Sequence, residues 1–126
     1  MQRQEYKKII LVDLDGVLNN YKGDFNQNYI PSPKEGALEF IKKLSIKYKV
    51  YLFTTRNLLL ASEWIIKHGF KNYIYEVTQI KHPAYLYIDD RTICFNGSFQ
   101  QLEEQIESFQ TYWNVNPENQ DQNNKV

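Results

Sequence analysis

Short apolar runs alternate with longer amphipathic segments along most of the chain. The first run, residues 9–12, is Ile-Ile-Leu-Val and continuous. A continuous apolar run predicts a strand that is covered on both faces, as in the centre of a parallel sheet. Similar short runs predict further strands at residues 50–53, 73–77 and 85–88, and a short fifth strand at 93–95.

A first helix is predicted after residue 31. Ser32 is suited to the N-cap, Pro33 to the first helical position, and Glu35 completes a capping box. Apolar residues then recur at helical spacing, which predicts the buried face of this helix: Ala37, Phe40, Ile41, Leu44 and Tyr48.

Two further helices follow the later strands. One is predicted at residues 58–68, closed by Gly69 in a left-handed conformation, with His68 as a cation favoured by the helix dipole. The last begins at Ser98, where Gln101 completes another capping box. Its apolar positions are Leu102, Ile106, Phe109 and Trp113.

The order of these elements predicts the fold class. Alternating strands and helices indicate a doubly wound α/β/α sheet of Rossmann-like type, with ligands at the carboxyl ends of the strands. Residues 19–31 are rich in turn formers and aromatic residues, which predicts a loop or small hairpin. Residues 114–126 are almost entirely polar, so we expect one domain at 1–113 followed by a disordered tail.

Composition narrows the function classes. In 126 residues, 15 Lys and Arg balance 15 Asp and Glu, so no overall charge would hold the chain on nucleic acid or an anionic membrane. No apolar run approaches the roughly 20 residues that cross a bilayer. The single cysteine, Cys94, has no internal disulfide partner. We therefore expect a cytoplasmic protein without a membrane partner, and Cys94 as a buried small hydrophobe.

The predicted strand ends carry the candidate chemistry. Asp13 and Asp15 follow the first strand, and residues two apart in an extended segment lie about 7 Å apart on one face. Carboxylates crowded in this way call for a cation, and a hard, oxygen-liganded ion such as Mg²⁺ is suited to them. The predicted metal site consists of Asp13, Asp15, Asp89 and Asp90. Thr54 and Lys81 remain to bind a phosphoryl group beside it.

Four segments together resemble a known family. They are Asp13-Leu14-Asp15-Gly16-Val17-Leu18, the strand ending in Thr54, Lys81, and Ile88-Asp89-Asp90. In this order they resemble the four motifs of the haloacid dehalogenase superfamily of phosphatases, over residues 8–112. The gaps between the motifs are too short for the substrate-capping domains of that family, so the resemblance implies a capless member with an open site.

The resemblance implies a role for each motif residue. Asp13 would be the nucleophile that forms an aspartyl-phosphate, and Asp15 the general acid and base. Thr54 and Lys81 would hold the phosphate. Mg²⁺ would be bound by the Asp13 carboxylate, the Asp15 backbone carbonyl and the acidic pair, with Asp90 favoured over Asp89 for direct contact.

Two shorter strings bear on the substrate. They are similar to the corresponding segments of phage-type polynucleotide 3′-phosphatases and of small deoxyribonucleotidase-like members of the family. The two strings are Thr54-Thr55-Arg56 and Ile88-Asp89-Asp90-Arg91. The similarity implies that Arg56 assists the binding of the phosphate or of the leaving group. Thr55 is the alternative to Thr54 as a phosphate-binding residue. Three aromatic residues of the neighbouring loop are placed to stack a base: Tyr21, Phe25 and Tyr29. We therefore expect a phosphorylated nucleotide or nucleic-acid end as the substrate.

Two alternatives remain open at this point. A receiver-like signalling domain also uses acidic residues, Thr and Lys around magnesium, although it carries its acidic pair on the first strand and its phosphorylated Asp on the third. A non-catalytic phosphate-binding or regulatory module would keep the same residues without turnover. Steady magnesium-dependent hydrolysis of a simple aryl phosphate would distinguish the phosphatase from both.

Overall fold

A computed structural model describes residues 6–114 of the chain. They belong to two compact units, one up to Asp89 and one from Asp90. The first unit contains β1 (Ile9–Asp13), α1 (Ala37–Lys47), β2 (Lys49–Phe53), α2 (Leu58–Lys67), a 3₁₀ turn (Lys71–Tyr73), β3 (Glu76–Thr78) and β4 (Leu86–Ile88). The second unit contains α3 (Phe99–Ser108). No helix among the described residues is both long enough and apolar enough to cross a membrane.

The four strands form one parallel sheet in the order β3-β2-β1-β4. Asp13 pairs with Phe53 on one side of β1, and Val12 pairs with Ile88 on the other. The chain therefore winds outward through β2 and β3, then returns to the opposite side of β1. This confirms the predicted α/β class with a central parallel sheet, and the described residues include no cap between the strands. The winding direction reverses between β1 and β4, where open α/β sheets bind their ligands.

The central strands are buried along their length, as their continuous apolar runs predict. The middle residues of β1 and β2 are almost inaccessible: Ile10, Leu11, Val12, Val50 and Leu52. The core continues into Ile41 of α1, Trp64 and Ile65 of α2, and Phe70. Burial of this apolar area is the main favourable contribution to folding.

The predicted start of α1 at Ser32 is wrong. The helix begins at Ala37, and Gly36, at φ 86°, occupies the N-cap position without a side-chain hydrogen bond. The backbone N–H of Asn20 donates to the Ser32 carbonyl, and Asn19 and Pro33 form an antiparallel bridge. Because this pairing keeps residues 32–33 extended, the helix starts only after the left-handed turn at Gly36.

The later start also changes which residues of α1 face the core. Ala37 and Ile41 are buried as predicted, and Leu44 packs against the core. Phe40 is 43% exposed, so its predicted place on the buried face is wrong. Tyr48 packs against the core from the position just after the helix end.

The second helix agrees with its prediction at both ends, except for the state of His68. Asn57 Oδ1 accepts a hydrogen bond from the Leu60 N–H at the N-cap, and Gly69 adopts the left-handed conformation at φ 83°. His68 packs its ring against Trp64, with 4.9 Å between centroids. Burial, and after it the charge of Lys67, lowers the pKa of His68. The neutral imidazole is therefore favoured, against its predicted role as a cation.

The third strand is shorter than predicted and begins later, because residues 71–73 form a 3₁₀ turn. In the second unit, the prediction of a fifth strand at 93–95 is wrong, and so is the burial of Cys94, which is exposed. Phe95, an apolar residue of this segment, packs against Phe99 instead, with ring centroids 5.1 Å apart.

Ser98 is confirmed as the N-cap of α3, because its Oγ accepts from the Gln101 N–H at 3.3 Å. The predicted capping box is wrong, because the Ser98 N–H donates to Asn96 Oδ1 instead of to the Gln101 side chain. The helix ends at Ser108, and Phe109 is extended, so the predicted continuation to Trp113 is wrong. Apart from Asn114, the predicted polar tail lies outside the described residues.

Acidification should destabilise the protein through His68. Because its pKa is lower in the folded state than the ordinary value of about 6.5, the unfolded state binds the proton more strongly. The resulting contribution to the free energy of unfolding is present above about pH 6.5 and is lost as the pH falls below it. We expect the urea midpoint of His68→Gln to depend less on pH between about 5 and 7 than that of the wild type. Identical pH profiles would contradict this expectation.

Candidate functional site

Two carboxylates meet where the winding of the sheet reverses. Asp13 is the last residue of β1, and Asp89 follows the end of the adjacent strand β4. One carboxylate oxygen of each lies within 4.8 Å of the other. Both side chains are half-buried. The parallel pairing of β1 with β4 therefore produces the juxtaposition that the strand-end positions predict.

The chain turns directly after Asp13. The Leu14 carbonyl accepts hydrogen bonds from the N–H groups of Val17 and Leu18, and Gly16 has φ 83°. The expectation that Asp13 and Asp15 share one face of an extended segment is therefore wrong. Leu14 is fully buried between them, and the tight turn, which needs a glycine at Gly16, positions Asp15.

The Asp15 carboxylate is held by two N–H donors. Arg56 Nε donates to Oδ2 at 2.7 Å, and Asn19 Nδ2 donates to Oδ1 at 3.0 Å. The Arg56 side chain is only 1% exposed and that of Asp15 13% exposed, so this ion pair is shielded from water. Each carboxylate oxygen retains a second lone pair. Asp15 can therefore still accept or carry a proton while both donors stay in place.

Asn19 is a site residue that the sequence analysis missed. Its side chain is fully buried. Its Oδ1 accepts from the N–H groups of Gly16 and Tyr21, both at 3.1 Å, while its Nδ2 binds Asp15. Asn19 thus ties the turn after β1 to the carboxylate. Its position directly after the Asp15-Gly16-Val17-Leu18 string was the available signal, although an asparagine there is equally typical of an ordinary turn.

Arg56 connects the end of β2 to the loop at residues 19–31. Its Nη1 donates to the Asn26 carbonyl at 2.9 Å, and its guanidinium lies 4.6 Å from the centroid of the Phe25 ring. Its own carbonyl accepts from Gln79 Nε2 at 2.9 Å. Nη2 is buried and has no hydrogen-bond partner. Arg56 is therefore a buried anchor of the site, and its expected assistance in phosphate binding remains a prediction.

The other predicted phosphate-binding residues differ in their surroundings. Thr54 is buried, its N–H donates to the Thr78 carbonyl, and its Oγ1 accepts from the Arg56 N–H at 3.1 Å. Thr55 is exposed. Lys81 is exposed, with its ammonium 4.6 Å from the Tyr87 ring centroid. The structure thus brings Thr54 to Arg56, which in turn pairs with Asp15, while the contact observed for Lys81 is with Tyr87.

The carboxylates suit a hard cation. Mg²⁺ prefers oxygen ligands at about 2.0–2.1 Å, and the close oxygens of Asp13 and Asp89 need only a small adjustment to share one ion. Asp90 is the next residue along the chain and begins the second unit, where Trp113 Nε1 donates to its Oδ2. Its Oδ1 is buried and accepts no hydrogen bond, and Arg91 Nε lies 3.8 Å away. A buried carboxylate oxygen that accepts no hydrogen bond fits a metal ligand.

Among the described residues, Asp15 is not in the group of carboxylates close enough to share one ion, and its carboxylate binds Arg56 and Asn19. Its expected contribution to magnesium binding, through the backbone carbonyl, remains a prediction. The donors of the first unit that fit a cation are therefore the carboxylates of Asp13 and Asp89.

The aromatic loop carries exposed rings near Arg56. Phe25 is 58% and Tyr29 61% exposed, whereas Tyr21 is half-buried. Trp64 Nε1 donates to the Pro31 carbonyl at 3.0 Å, which anchors the end of the loop on α2. A cleft of about 520 Å³ lies between Phe25 and the first turn of α2, and Arg56 lines it. Its size is suited to a small organic group.

Comparison with known proteins bears on the fold. No family model and no curated protein matches the sequence. The solved structure of a conserved protein from Bacteroides thetaiotaomicron is similar, with a TM-score of 0.55 and 23% sequence identity over 85% of this chain and 95% of that chain. At this level of identity, the likeness shows that the two chains share their α/β fold.

Proposed function

We propose that the protein is a Mg²⁺-dependent phosphomonoesterase that works through an aspartyl-phosphate on Asp13. The observation that carries the proposal is the pair of close carboxylates, Asp13 and Asp89, at the reversal point of the sheet. Asp15, two residues further along, is oriented by a buried arginine. The proposed nucleophile and proton-transfer group therefore lie two residues apart in the chain, and a carboxylate oxygen of Asp89 lies within 4.8 Å of one of Asp13.

Magnesium would be held by Asp13 and Asp89, the adjacent Asp90 and the Asp15 carbonyl, and when bound it would neutralise charge on the phosphoryl oxygens. The remaining contributions come from the chain itself. Thr54 is proposed to donate its hydroxyl proton to a phosphoryl oxygen, and Lys81 to supply a positive charge. Arg56 and Thr55 are proposed to assist them.

The first half-reaction uses Asp13 and Asp15 together. An oxygen of Asp13 attacks phosphorus as the bond from phosphorus to the leaving oxygen breaks. Asp15, in its protonated form, gives its proton to that oxygen. In the second half-reaction the Asp15 carboxylate takes a proton from water, whose oxygen attacks phosphorus. The bond to Asp13 breaks, which releases inorganic phosphate and restores both carboxyl groups.

The hydrogen bonds to Asp15 support turnover rather than long-lived phosphorylation. Arg56 Nε and Asn19 Nδ2 hold the carboxylate in one orientation. A pre-oriented base beside the aspartyl-phosphate favours attack by water. A receiver-like domain, which must keep its phospho-aspartate, has no use for such a group.

We propose a nucleotide or nucleic-acid end as the substrate. The described residues contain no cap, so a large leaving group can approach Asp13. Phe25 and Tyr29 expose their rings on a loop that Arg56 ties to Asp15. Rings at this place can stack a base while the phosphate lies at the strand ends.

Asp13→Asn should abolish hydrolysis of p-nitrophenyl phosphate, because an amide is a poor nucleophile. We expect kcat to fall by roughly a thousand-fold or more, and wild-type activity to disappear on chelation with EDTA and return with Mg²⁺. Asp24→Asn, an exposed aspartate of the loop, is the matched control and should retain activity. Undiminished turnover in EDTA or in Asp13→Asn would refute the proposal.

Asp15→Asn should separate proton transfer from phosphate binding. We expect kcat for an alkyl phosphate, whose leaving group needs a proton, to fall by about 10²–10⁴-fold, while release of p-nitrophenolate from the enzyme in the first turnover falls less. Inhibition by inorganic phosphate should persist. Equal losses for both leaving groups would show that Asp15 is not the acid.

Phe25→Ala should discriminate between substrates. A stacked base contributes about 1–3 kcal/mol, so kcat/KM for a nucleotide should fall by roughly ten-fold, with little change for p-nitrophenyl phosphate. Phe25→Tyr, which keeps the ring, should retain the wild-type preference. Parallel losses on both substrates would indicate that Phe25 acts through the packing of Arg56 instead.

A further inference from the structure

Lysines and tyrosines cluster at the edge of the sheet opposite to the carboxylates. They lie at or before the amino ends of the strands: Lys7, Lys8, Tyr48, Lys49, Tyr73, Tyr75 and Tyr85. We call this set the amino-edge surface. Since Asp13 closes β1 and Lys8 precedes it, the two edges are separated by one strand length, about 15 Å. A ligand on this surface therefore need not occupy the candidate active site.

Two lysines of this surface, Lys8 and Lys49, lie over aromatic rings. Lys49 Nζ lies 4.2 Å from the centroid of Tyr75, and Lys8 Nζ lies 4.3 Å from that of Tyr85. Tyr75 and Tyr85 are 65% and 56% exposed. An ammonium group over an exposed ring remains hydrated, so it can exchange this weak contact for a phosphate oxygen. Cations and accessible rings are therefore available at the same points.

A second layer of rings supports the exposed ones. Tyr51 stacks on Tyr75, with 5.4 Å between centroids and 8° between planes, and Tyr48 stacks on Tyr85 at 6.1 Å and 6°. Tyr51 is buried. Rings held by such stacking lose little further conformational freedom when a ligand binds, so they provide a rigid platform.

A cleft of about 380 Å³ opens on this surface, and Lys7, Lys49, Tyr48, Tyr73 and Tyr75 line it. Lys7 Nζ donates to the Ser45 carbonyl at 3.1 Å, which holds its ammonium beside the cleft. Burial, and after it the negative charge of Glu76, raises the pKa of Tyr51. The cleft thus combines two ammonium groups with three aromatic side chains, and its volume is within the range of small-ligand sites.

We propose that the amino-edge surface binds single-stranded nucleic acid. Its phosphates would pair with Lys7 and Lys49, and unstacked bases would contact the tyrosine rings. This combination of a cationic groove with aromatic platforms is how proteins hold single strands without reading their sequence. A single strand is favoured over a duplex, because paired bases do not expose their faces. It is favoured over an acidic peptide, because carboxylates alone would leave the rings without a partner.

The test is fluorescence anisotropy with the full chain and a fluorescein-labelled oligo(dT) of about 15 nucleotides. The probe carries no terminal phosphate, so that the candidate active site has no phosphomonoester to bind. We expect binding that weakens with salt, with log K falling by about 0.7 per unit of log salt concentration for each phosphate neutralised. No binding at physiological salt would overturn the proposal, and so would equal affinity for poly-glutamate or for anionic lipid vesicles.

Variants then test the surface itself. The double variant Lys7→Glu/Lys49→Glu should bind at least ten-fold more weakly. The control is the double variant Lys22→Glu/Lys34→Glu, which makes the same charge change at two exposed lysines away from this surface and should bind as the wild type does. Tyr75→Ala should weaken binding by about five-fold or more. Tyr75→Phe should bind as the wild type does, because stacking needs only the ring. If the double lysine variant does not fold, the two Tyr75 variants decide. Equal affinity of Tyr75→Ala and Tyr75→Phe would refute the role of the ring.

Discussion

The buried ion pair between Arg56 and Asp15 is the interaction on which the candidate site depends. The Arg56 side chain is only 1% exposed, so its charge needs a partner inside the protein. Removal of one member of a buried ion pair lowers the free energy of unfolding by about 3–5 kcal/mol. Arg56 meets this need at three points of the chain: the Asp15 carboxylate, the Asn26 carbonyl and the Phe25 ring. The same side chain therefore orients a proposed catalytic group and fastens the loop proposed to bind the substrate. Arg56 therefore couples the orientation of the Asp15 carboxylate to the position of that loop.

The parallel sheet supplies the second constraint. Because β1 lies between β2 and β4, its carboxyl end is next to both neighbouring strand ends, and the winding of the chain reverses there. The pairing of Val12 with Ile88 brings the next residues of the two strands, Asp13 and Asp89, close together. A cation bound between the two carboxylates would neutralise the repulsion of their negative charges. The candidate metal site is thus a consequence of strand order, whereas the orientation of Asp15 is a consequence of side-chain hydrogen bonding.

The sheet also places acidic and basic side chains at opposite edges, a separation that the net charge of the chain does not reveal. The chain has no net charge, yet Asp13 and Asp89 lie at the carboxyl ends of the strands, while Lys7, Lys8 and Lys49 lie at the amino ends. A segregation of this kind leaves local fields of opposite sign at the two edges. A net charge of zero therefore does not exclude a polyanionic partner, because such a partner meets the local field of one edge and not the average over the chain.

The sequence by itself determined the fold class and the order of the elements. Continuous apolar runs such as residues 9–12 belong to buried parallel strands, and Gly69 and Ser98 mark helix ends through local backbone chemistry that needs no distant partner. It also placed Asp13 and Asp89 at strand ends. Only the tertiary structure decided what depends on long-range contacts. Ser32 lost its predicted capping role because residues 32–33 pair with the chain after β1, and Cys94 is exposed because its segment has no place in the sheet. The burial of Asn19 and the pairing of Arg56 with Asp15, 41 residues apart, join segments whose proximity no local pattern encodes, since a hydrogen bond between distant side chains leaves no periodicity in the sequence.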